Sequence, residues 1–419
     1  MTAALAALAA LAAAGCTDDT GGGGGTQAPD GALTIAVDLP FQGGARDVSD
    51  DTWDALNLYL EQLGGTVGGR TVVLTKRDNS TSAKGTWNET SCAENARAHL
   101  DTAGQVAVIG TYNSGCTKVE VPLLNRADGG PMLMVSHANS SAGLTGPGAE
   151  GEPDRYFPTG QRSFARVIAT EVVQGTAAAQ FADDNLTVGR CLVLNDGEPY
   201  GIAVAAAFAG EARRRGIEVV GEVEWSRADE NYVALFGRTT AARPDCVYLG
   251  GQFDSNGARL IVDKVAVLGD NAKVKLLAPD GFVGYPDLTA LPQAAGAYLT
   301  FPGLPTAAVT AQSPTAARFV ADFAAKYGHE PRGDYAAYAL YAVQALQVVL
   351  AAIERSDGTR QGVRDAVFAG PAIVVPGATA ILGRDVSIDP ATGDVSGRDV
   401  SIQLVQDNQA VMHTPWAVT

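Results

Sequence analysis

The chain has 419 residues, of which 46% are hydrophobic and 18% charged, so it predicts a globular protein long enough for two hydrophobic cores. Its formal net charge of −16 argues against nucleic-acid binding and against direct docking onto anionic lipid. We therefore expect no nucleic-acid partner.

The first 30 residues have the composition of an export and tethering segment. Residues 1–15 are rich in Ala and Leu, carry no charge and end in small residues, as is typical of a secretory signal peptide. Ala13-Ala14-Gly15 stands directly before Cys16, an arrangement that resembles the lipobox of bacterial lipoproteins and implies lipidation of Cys16. Residues 16–30 include five consecutive glycines and predict a flexible tether. We expect an extracytoplasmic protein anchored to the cell membrane.

Residues 31–158 predict alternating strands and helices, with strands at 33–37, 70–75, 106–109 and 131–135 and helices at 50–63 and 89–100. The last two strands each end in a small polar loop, at 111–117 and at 136–141. Parallel strands bring such loops together at the carboxyl edge of the sheet, where open α/β sheets bind ligands. The alternative is that both loops are ordinary turns rich in Ser and Asn.

A second alternating series follows, which predicts two doubly wound α/β domains instead of one large sheet. It begins with a long helix at 164–183. Its strands are predicted at 191–194, 219–225, 247–250, 274–278 and 296–301, with helices at 201–215, 232–241 and 258–268.

The last part of the chain departs from this alternation. Helices are predicted at 315–327, 335–353 and 361–368. The sequence Gly-Arg-Asp-Val-Ser-Ile then occurs twice, at 383–388 and 397–402, around a turn of Asp, Pro and Gly. This arrangement predicts a hairpin in which the two copies pair.

Signatures of catalysis and of metal or cofactor binding are weak. Ser136 and His137 are adjacent, but neighbours on a strand point to opposite faces, and no Gly-x-Ser-x-Gly motif occurs. There is no Walker loop, and the glycines at 64–69 precede a strand instead of following one, so they are not a dinucleotide fingerprint. We expect no enzymatic activity, no cofactor and no metal.

Four cysteines remain after Cys16, an even number that fits disulfide formation in an oxidising compartment. Metal binding is the competing interpretation, but the chain has no Cys-x-x-Cys motif and its four histidines are scattered. The four cysteines are Cys92, Cys116, Cys191 and Cys246.

The order of motifs from about residue 33 to 405 resembles the leucine/isoleucine/valine-binding family of type I periplasmic binding proteins, the solute receptors of ABC transporters. The motifs that carry the resemblance include Leu63-Gly64-Gly65, Ile109-Gly110 with Ser114, Leu133–Ser136, Glu198-Pro199-Tyr200-Gly201, Tyr248-Leu249-Gly250-Gly251, Ala278-Pro279-Asp280-Gly281 and Tyr338-Ala339-Leu340-Tyr341.

The resemblance implies two α/β lobes joined by a hinge of three crossovers, with a ligand between them. Lobe one would hold residues 31–158 and 302–358, and lobe two residues 159–301 and 359–419. The lobes would close on the ligand by a hinge motion, for which periplasmic binding proteins are a standard example.

The resemblance also assigns roles to six residues. Ser114 and Ser140 would bind a ligand carboxylate through their hydroxyls, with a backbone group of Ala138 between them, and Asp280 would bind an ammonium group. Tyr200 and Gln252 would face the cleft. The alternatives are turn-capping roles for the two serines and a solvated turn for Asp280.

These assignments imply a monomeric solute-binding lipoprotein that delivers an amino acid or a related polar solute to the subunits of an ABC permease. The alternative is a ligand-sensing receptor of the same fold, for amides or amino acids, without a transport role. In this fold we expect Cys92 to pair with Cys116, at the start of a helix and in the ligand loop. Cys191 would pair with Cys246 on a neighbouring strand.

Overall fold

The computed structural model describes residues 31–82, 85–332 and 336–418. The predicted signal peptide, the lipid anchor Cys16 and the glycine-rich tether lie outside the described residues.

The first sheet is formed before residue 167, and its strands are parallel except for a short antiparallel edge strand, β2. Its order is β2-β3-β1-β4-β5-β6. The elements are β1 Leu33–Leu39, α1 Arg46–Gln62, β2 Thr66–Val67, β3 Arg70–Asp78, α2 Glu89–Asp101, β4 Gln105–Gly110, α3 Ser114–Leu124, β5 Leu133–Ser136 and β6 Phe164–Arg166.

The chain then crosses into a second sheet. Its elements up to residue 301 are α4 Glu171–Asp184, β7 Arg190–Asn195, α5 Pro199–Arg214, β8 Glu218–Glu224, α6 Val233–Thr239, β9 Cys246–Gly250, α7 Gly257–Leu268, β10 Lys275–Ala278, α8 Pro286–Thr289 and β11 Tyr298–Phe301.

After β11 the chain returns to the first sheet, packs helices on it, and finally re-enters the second sheet. The remaining elements are α9 Thr306–Gln312, α10 Pro314–Tyr327, α11 Ala336–Arg355, α12 Arg360–Phe368, β12 Val374–Val375, β13 Val386–Ser387, β14 Val400–Gln406 and β15 Gln409–Trp416. The second sheet is therefore ordered β15-β14-β11-β10-β9-β7-β8, and β14 and β15 are its antiparallel strands. Two doubly wound lobes joined by three crossovers are confirmed as the fold.

Both faces of the first sheet are buried, as the apolar strands require. In β1, Ile35 and Val37 face a core that includes α1, α10 and α11, whereas Ala36 faces the core beneath α2 and α3. Helix α11 is the only one in the described part of the chain that is long and apolar enough to span a membrane, over 337–355. This helix is packed in the core of lobe one, where 89% of its most apolar 18-residue stretch is buried.

The prediction of one long helix at 164–183 is wrong for its first residues. Residues Phe164–Arg166 form β6, which pairs with β5 at the edge of the first sheet, and α4 begins only at Glu171. Thr170 determines that start, because its hydroxyl accepts a hydrogen bond from the Val173 amide as an N-cap does. Lobe one therefore extends past residue 158.

The placement of residues 359–419 in lobe two differs from the structure over much of its length. Val363 and Val367 of α12 are fully buried in the core of lobe one, and apolar residues up to Val395 belong to the same core. Arg360 fixes the start of α12 there, because its Nε donates to the Gln105 carbonyl over 2.8 Å. Only β14 and β15 add strands to lobe two.

The predicted hairpin between the two Gly-Arg-Asp-Val-Ser-Ile copies is also wrong. The strand of the first copy, β13, pairs with β12, and the second copy enters β14, which pairs with β11 and β15. A single bridge, between Ile388 and Val395, joins the segments beside the turn. The first copy thus pairs with the two-residue strand β12 in lobe one, whereas the second copy pairs with longer strands of lobe two.

The structure joins the same cysteine pairs that the sequence analysis predicts. Cys92 of α2 is bonded to Cys116 of α3, with 5.6 Å between their Cα atoms. Cys191 and Cys246 are direct partners in the register of β7 and β9, with 4.4 Å between their Cα atoms. The first bridge lies two residues from Ser114, and the second lies in the core of lobe two.

Candidate functional site

The loops after β4 and β5 are tied to each other at the carboxyl edge of the first sheet. The Ser136 hydroxyl donates to the Thr111 carbonyl over 3.0 Å and accepts the Asn139 amide over 2.9 Å. The Asn139 side chain donates to the same carbonyl over 2.8 Å. The Ser141 amide in turn donates to the Ser114 hydroxyl oxygen over 3.4 Å. These bonds hold the two polar loops side by side.

A buried arginine fixes the conformation of the second loop. Arg166 of β6 is fully buried, and its Nη1 donates to the carbonyls of Asn139 and Ser141 over 2.9 and 2.8 Å. Its Nε donates to Asp394 over 2.8 Å. Because Ser140 lies between the two bound carbonyls, Arg166 holds the backbone on both sides of Ser140.

Ser114 and Gly115 lie at the first turn of α3, whose N-cap is Asn113. The first N–H groups of a helix have no acceptor within the helix, and the helix dipole adds partial positive charge there. A helix start of this kind binds anions, including carboxylates. The hydroxyls of Ser114 and Ser140 lie at the same cleft, so this wall offers neutral donors to an anionic group.

Lobe two supplies a buried carboxylate to the opposite wall. Asp280 follows β10 and is only 5% exposed. Its Oδ1 accepts the hydroxyl of Tyr200 at the start of α5, and its Oδ2 accepts the hydroxyl of Tyr338 in α11. Burial raises the pKa of Asp280, and the hydrogen bonds from the two tyrosines oppose that rise. Tyr338 belongs to lobe one, so this carboxylate contacts both lobes.

These groups surround one cleft of about 460 Å³, counting the part open to solvent. All six residues predicted to face a ligand line it. The complete lining is Trp87, Tyr112, Asn113, Ser114, Gly115, Ala138 and Ser140, then Glu198, Pro199, Tyr200, Gln252, Asp280, Gly281 and Tyr338.

The sequence analysis missed several lining residues and the arginine that positions the Ser140 loop. Trp87 lies in the connection before α2, where no motif marks it, and Tyr338 lies in an apolar run that indicates a core helix. Arg166 fell within a stretch that was predicted as helix. Asn113 carried a usable signal, because it directly precedes Ser114 in the polar loop.

The adjacent Ser136 and His137 do not form a nucleophile and base. The Ser136 hydroxyl is used to join the two loops. His137 is fully buried, neither ring nitrogen has a hydrogen-bond partner among the described residues, and burial lowers its pKa to about 3. Its ring instead packs against Tyr112 and Tyr338 behind the cleft.

Asp38, His99 and Glu120 are the residue types that could ligate a metal, and their ligand atoms lie within 4.8 Å of one another. They lie in the interior of lobe one, away from the cleft lining. Asp38 is already bonded to His99 over 2.9 Å and to the Asn79 amide over 2.8 Å. Burial, with the nearby Asp38, raises the pKa of Glu120, which favours the protonated form of this carboxyl in the interior.

The chain is similar in sequence to a curated binding protein. Over 244 residues it is 23% identical to the Leu/Ile/Val-binding protein BraC3 of Rhizobium johnstonii. The match covers 58% of this chain and spans 60% of the length of that relative.

Two solved structures share the fold over nearly their whole length. A leucine-binding protein, LivK of Thermotoga maritima, superposes with a TM-score of 0.74 at 23% identity, over 92% of this chain and 99% of that one. A solute-binding protein of an ABC transporter from Rhodopseudomonas palustris, in complex with p-hydroxybenzoic acid, also gives 0.74, at 18% identity over 93% and 98%.

Residues 32–389 match the family described as periplasmic binding protein, which is most of the described chain. That span contains both strand-end loops, Arg166 and Asp280, and therefore the whole cleft. The chain belongs to the periplasmic binding protein family.

Proposed function

We propose that this protein captures an amino acid, or a closely related small polar solute, in the cleft and delivers it to an ABC permease. The observation that carries the proposal is the opposition of two kinds of group across one cleft. Ser114, Ser140 and the start of α3 offer neutral donors, and Asp280 offers a buried carboxylate. An α-amino acid has a carboxylate and an ammonium group to match both walls.

The charges of the cleft favour this solute over an aromatic acid of the kind bound by the Rhodopseudomonas palustris protein. Among the lining residues that the structure describes there is no Lys, Arg or His, whereas Asp280 is a carboxylate. A benzoate would add its negative charge to the carboxylates of Asp280 and Glu198 without a counter-ion, and burying unpaired charge is costly. An ammonium group bound to Asp280 removes that cost.

The Asp280→Asn variant tests the proposal. The substitution keeps the side-chain shape but removes the charge, so a bound ammonium would lose its counter-ion. Breaking one side of a buried ion pair costs about 3–5 kcal/mol, and the affinity for amino acids should fall at least about a hundredfold. Calorimetry with a panel of amino acids and benzoates, on the wild type and the variant, measures this.

The matched control is Asp287→Asn in α8, an exposed aspartate of the same lobe outside the cleft lining. It should bind as the wild type does. If Asp280→Asn binds amino acids as tightly as the wild type, or if only benzoates bind, the ligand is not held by an amine and the proposal fails.

The location of the protein follows from the same proposal. A small-residue stretch before Cys16 and a glycine-rich tether after it support a lipoprotein that acts outside the cytoplasm. Mass spectrometry of the native N-terminus should find the chain beginning at a lipidated Cys16. An intact Met1 or an unmodified Cys16 would refute the anchor without affecting the cleft.

A further inference from the structure

The cleft holds more polar groups than the carboxylate and ammonium of an amino acid would use. Besides Ser114, Ser140, Asp280 and the tyrosines, the lining carries two side-chain amides, those of Asn113 and Gln252, and the carboxylate of Glu198. What these three groups face decides which amino acids fit, and the argument rests on the proposed function.

Asn113 offers an acceptor that no described residue satisfies. Its side chain is only 7% exposed, and Oδ1 is buried without a hydrogen-bond partner among the residues that the structure describes. An N-cap asparagine normally uses this oxygen to accept an amide of the first turn, but Asn113 makes no such bond. A buried acceptor without a donor is unfavourable, so a donor from a ligand would be stabilising.

Glu198 and Gln252 are held together on lobe two by one carboxylate. The backbone N–H of Glu198 donates to Asp196 Oδ1 over 3.1 Å, and the backbone N–H of Gln252 donates to Asp196 Oδ2 over 3.0 Å. The Ser255 hydroxyl also donates to Oδ2, over 3.0 Å. The two loops that carry these side chains are thus fixed relative to each other, which is the property of a built subsite.

The side chain of Gln252 is available to a ligand. It is half-buried at the cleft, and its amide makes no hydrogen bond within the described part of the chain. Its backbone bond to Asp196 holds the residue in place without using the side-chain amide.

The rest of the lining is poorly suited to a branched aliphatic side chain. It contains no Leu, Ile, Val, Met or Phe among the described residues. Its apolar surface comes from Ala138, Pro199 and the rings of Trp87, Tyr112, Tyr200 and Tyr338. Flat rings can flank the methylene groups of a side chain and attract a cation at its end.

We propose that the ligand is an α-amino acid whose side chain ends in N–H donors, an amide or a cation, and that Gln252, Glu198 and Asn113 recognise that end. The oxygens of the three side chains accept hydrogen bonds from the nitrogen group, while the rings enclose the methylene groups. A leucine-sized aliphatic side chain would leave the buried Asn113 Oδ1 unpaired, and sites of this kind discriminate strongly against ligands that lack the donor.

Calorimetry of the wild type with L-glutamine, L-arginine and L-leucine tests the proposal without any variant. Glutamine or arginine should bind at least about tenfold tighter than leucine, because leucine leaves the buried Asn113 oxygen unpaired. A preference for glutamine would identify amide recognition, and a preference for arginine would identify recognition of a cation. Leucine binding as tightly as both would overturn this inference and leave the proposed function intact. Failure of all three to bind would overturn this inference, and the panel of amino acids and benzoates would then decide whether the proposed function also fails.

The Gln252→Leu variant locates the recognition. It should lose about tenfold or more in affinity for the preferred ligand and bind leucine as well as the wild type or better. Gln409→Leu, at an exposed position of β15, is the matched control and should change neither. Thermal unfolding without ligand shows that both variants are folded. An unchanged ratio of affinities in Gln252→Leu would overturn the role of Gln252.

Discussion

Arg166 shows how one buried side chain can hold the backbone of a binding loop although it does not itself line the cleft. It donates to the carbonyls of Asn139 and Ser141 and pairs with Asp394, which lies far along the chain. A guanidinium can bind several acceptors at once in a fixed plane, whereas a lysine ammonium is a single compact charge.

Arg166→Lys should therefore lower both stability and ligand affinity while keeping the charge. Losing one or two hydrogen bonds from a charged donor should reduce the free energy of unfolding by about 1.5–3 kcal/mol. Urea unfolding and calorimetry measure the two effects. Arg318→Lys, whose side chain is 86% exposed, is the control and should change neither. Wild-type affinity in Arg166→Lys would show that the Ser140 loop keeps its shape without the guanidinium.

At the scale of single residues, the sequence indicated the ligand-facing groups at strand ends and missed those that come from elsewhere. Ser114, Ser140 and Asp280 each follow a strand, and parallel strands bring their ends to one edge. Tyr338 reaches the cleft from α11 and bonds Asp280 across the lobes. Such a contact depends on the tertiary packing of distant segments, which no local pattern contains.

At the scale of elements, the start of α4 is a joint between the two lobes. The backbone amide of Glu171 donates to the Ser140 carbonyl over 2.8 Å, and its Oε1 accepts the Ala142 amide over 3.0 Å. The residue is buried, and burial raises its pKa to about 7, against the opposing effects of the Ala142 bond and of Arg166 and Lys118.

This raised pKa predicts a pH dependence of stability. An unfolded Glu171 would titrate near 4.5, so between about pH 4.5 and 7 the folded state holds the proton more tightly than the unfolded state does. The contribution of Glu171 to the free energy of unfolding should thus fall as pH rises through that window. Over this window the free energy of unfolding should fall by about 3 kcal/mol, since one unit of pKa shift corresponds to about 1.4 kcal/mol.

Glu171→Gln removes this pH-dependent contribution. The free energy of unfolding of the variant, relative to that of the wild type, should therefore be higher at pH 8 than at pH 5. Urea unfolding at both values measures the difference. Glu94→Gln, at an exposed position of α2, should follow the wild type at both. An equal difference for Glu171→Gln at pH 5 and pH 8 would show that Glu171 does not titrate in that range.

The accuracy of the predicted elements followed the strength of their periodicity. The strands of both sheets and most helices were predictable, because apolar runs with turn residues between them have few alternatives. Residues 164–166 were mistaken for helix, since a three-residue strand is too short to show its own period. The repeated hexapeptide predicted pairing that the tertiary structure overrode, because strand partners are chosen by packing and not by sequence likeness.

At the scale of the molecule, Asp280 links the lobes through Tyr338 without a ligand. That bond should favour closure, because α11 belongs to the core of lobe one and Asp280 follows a strand of lobe two. A hydrogen bond to a charged group is worth about 1.5–3 kcal/mol, enough to shift an equilibrium between open and closed forms.

Tyr338→Phe should therefore increase the radius of gyration of the ligand-free protein in small-angle X-ray scattering. With a saturating ligand, the variant and the wild type should scatter alike, because the ligand then bridges the lobes. The control is Tyr327→Phe, because the Tyr327 hydroxyl donates to the Asp54 carbonyl within lobe one. This variant should scatter as the wild type does. Identical ligand-free scattering of Tyr338→Phe and the wild type would remove the role of this bond in closure.

The three crossovers also govern the order in which the protein can fold during synthesis. The sheet of lobe one ends at Arg166, but the helix that covers much of one face, α11, begins at Ala336, and β14 completes lobe two only from Val400. A chain that emerges from the ribosome N-terminus first thus has an uncovered apolar sheet through most of its translation. Neither lobe can fold to completion until nearly all of the chain is made. Such a chain should remain incompletely folded until late in its synthesis, with a bare apolar sheet that is prone to aggregate in the meantime.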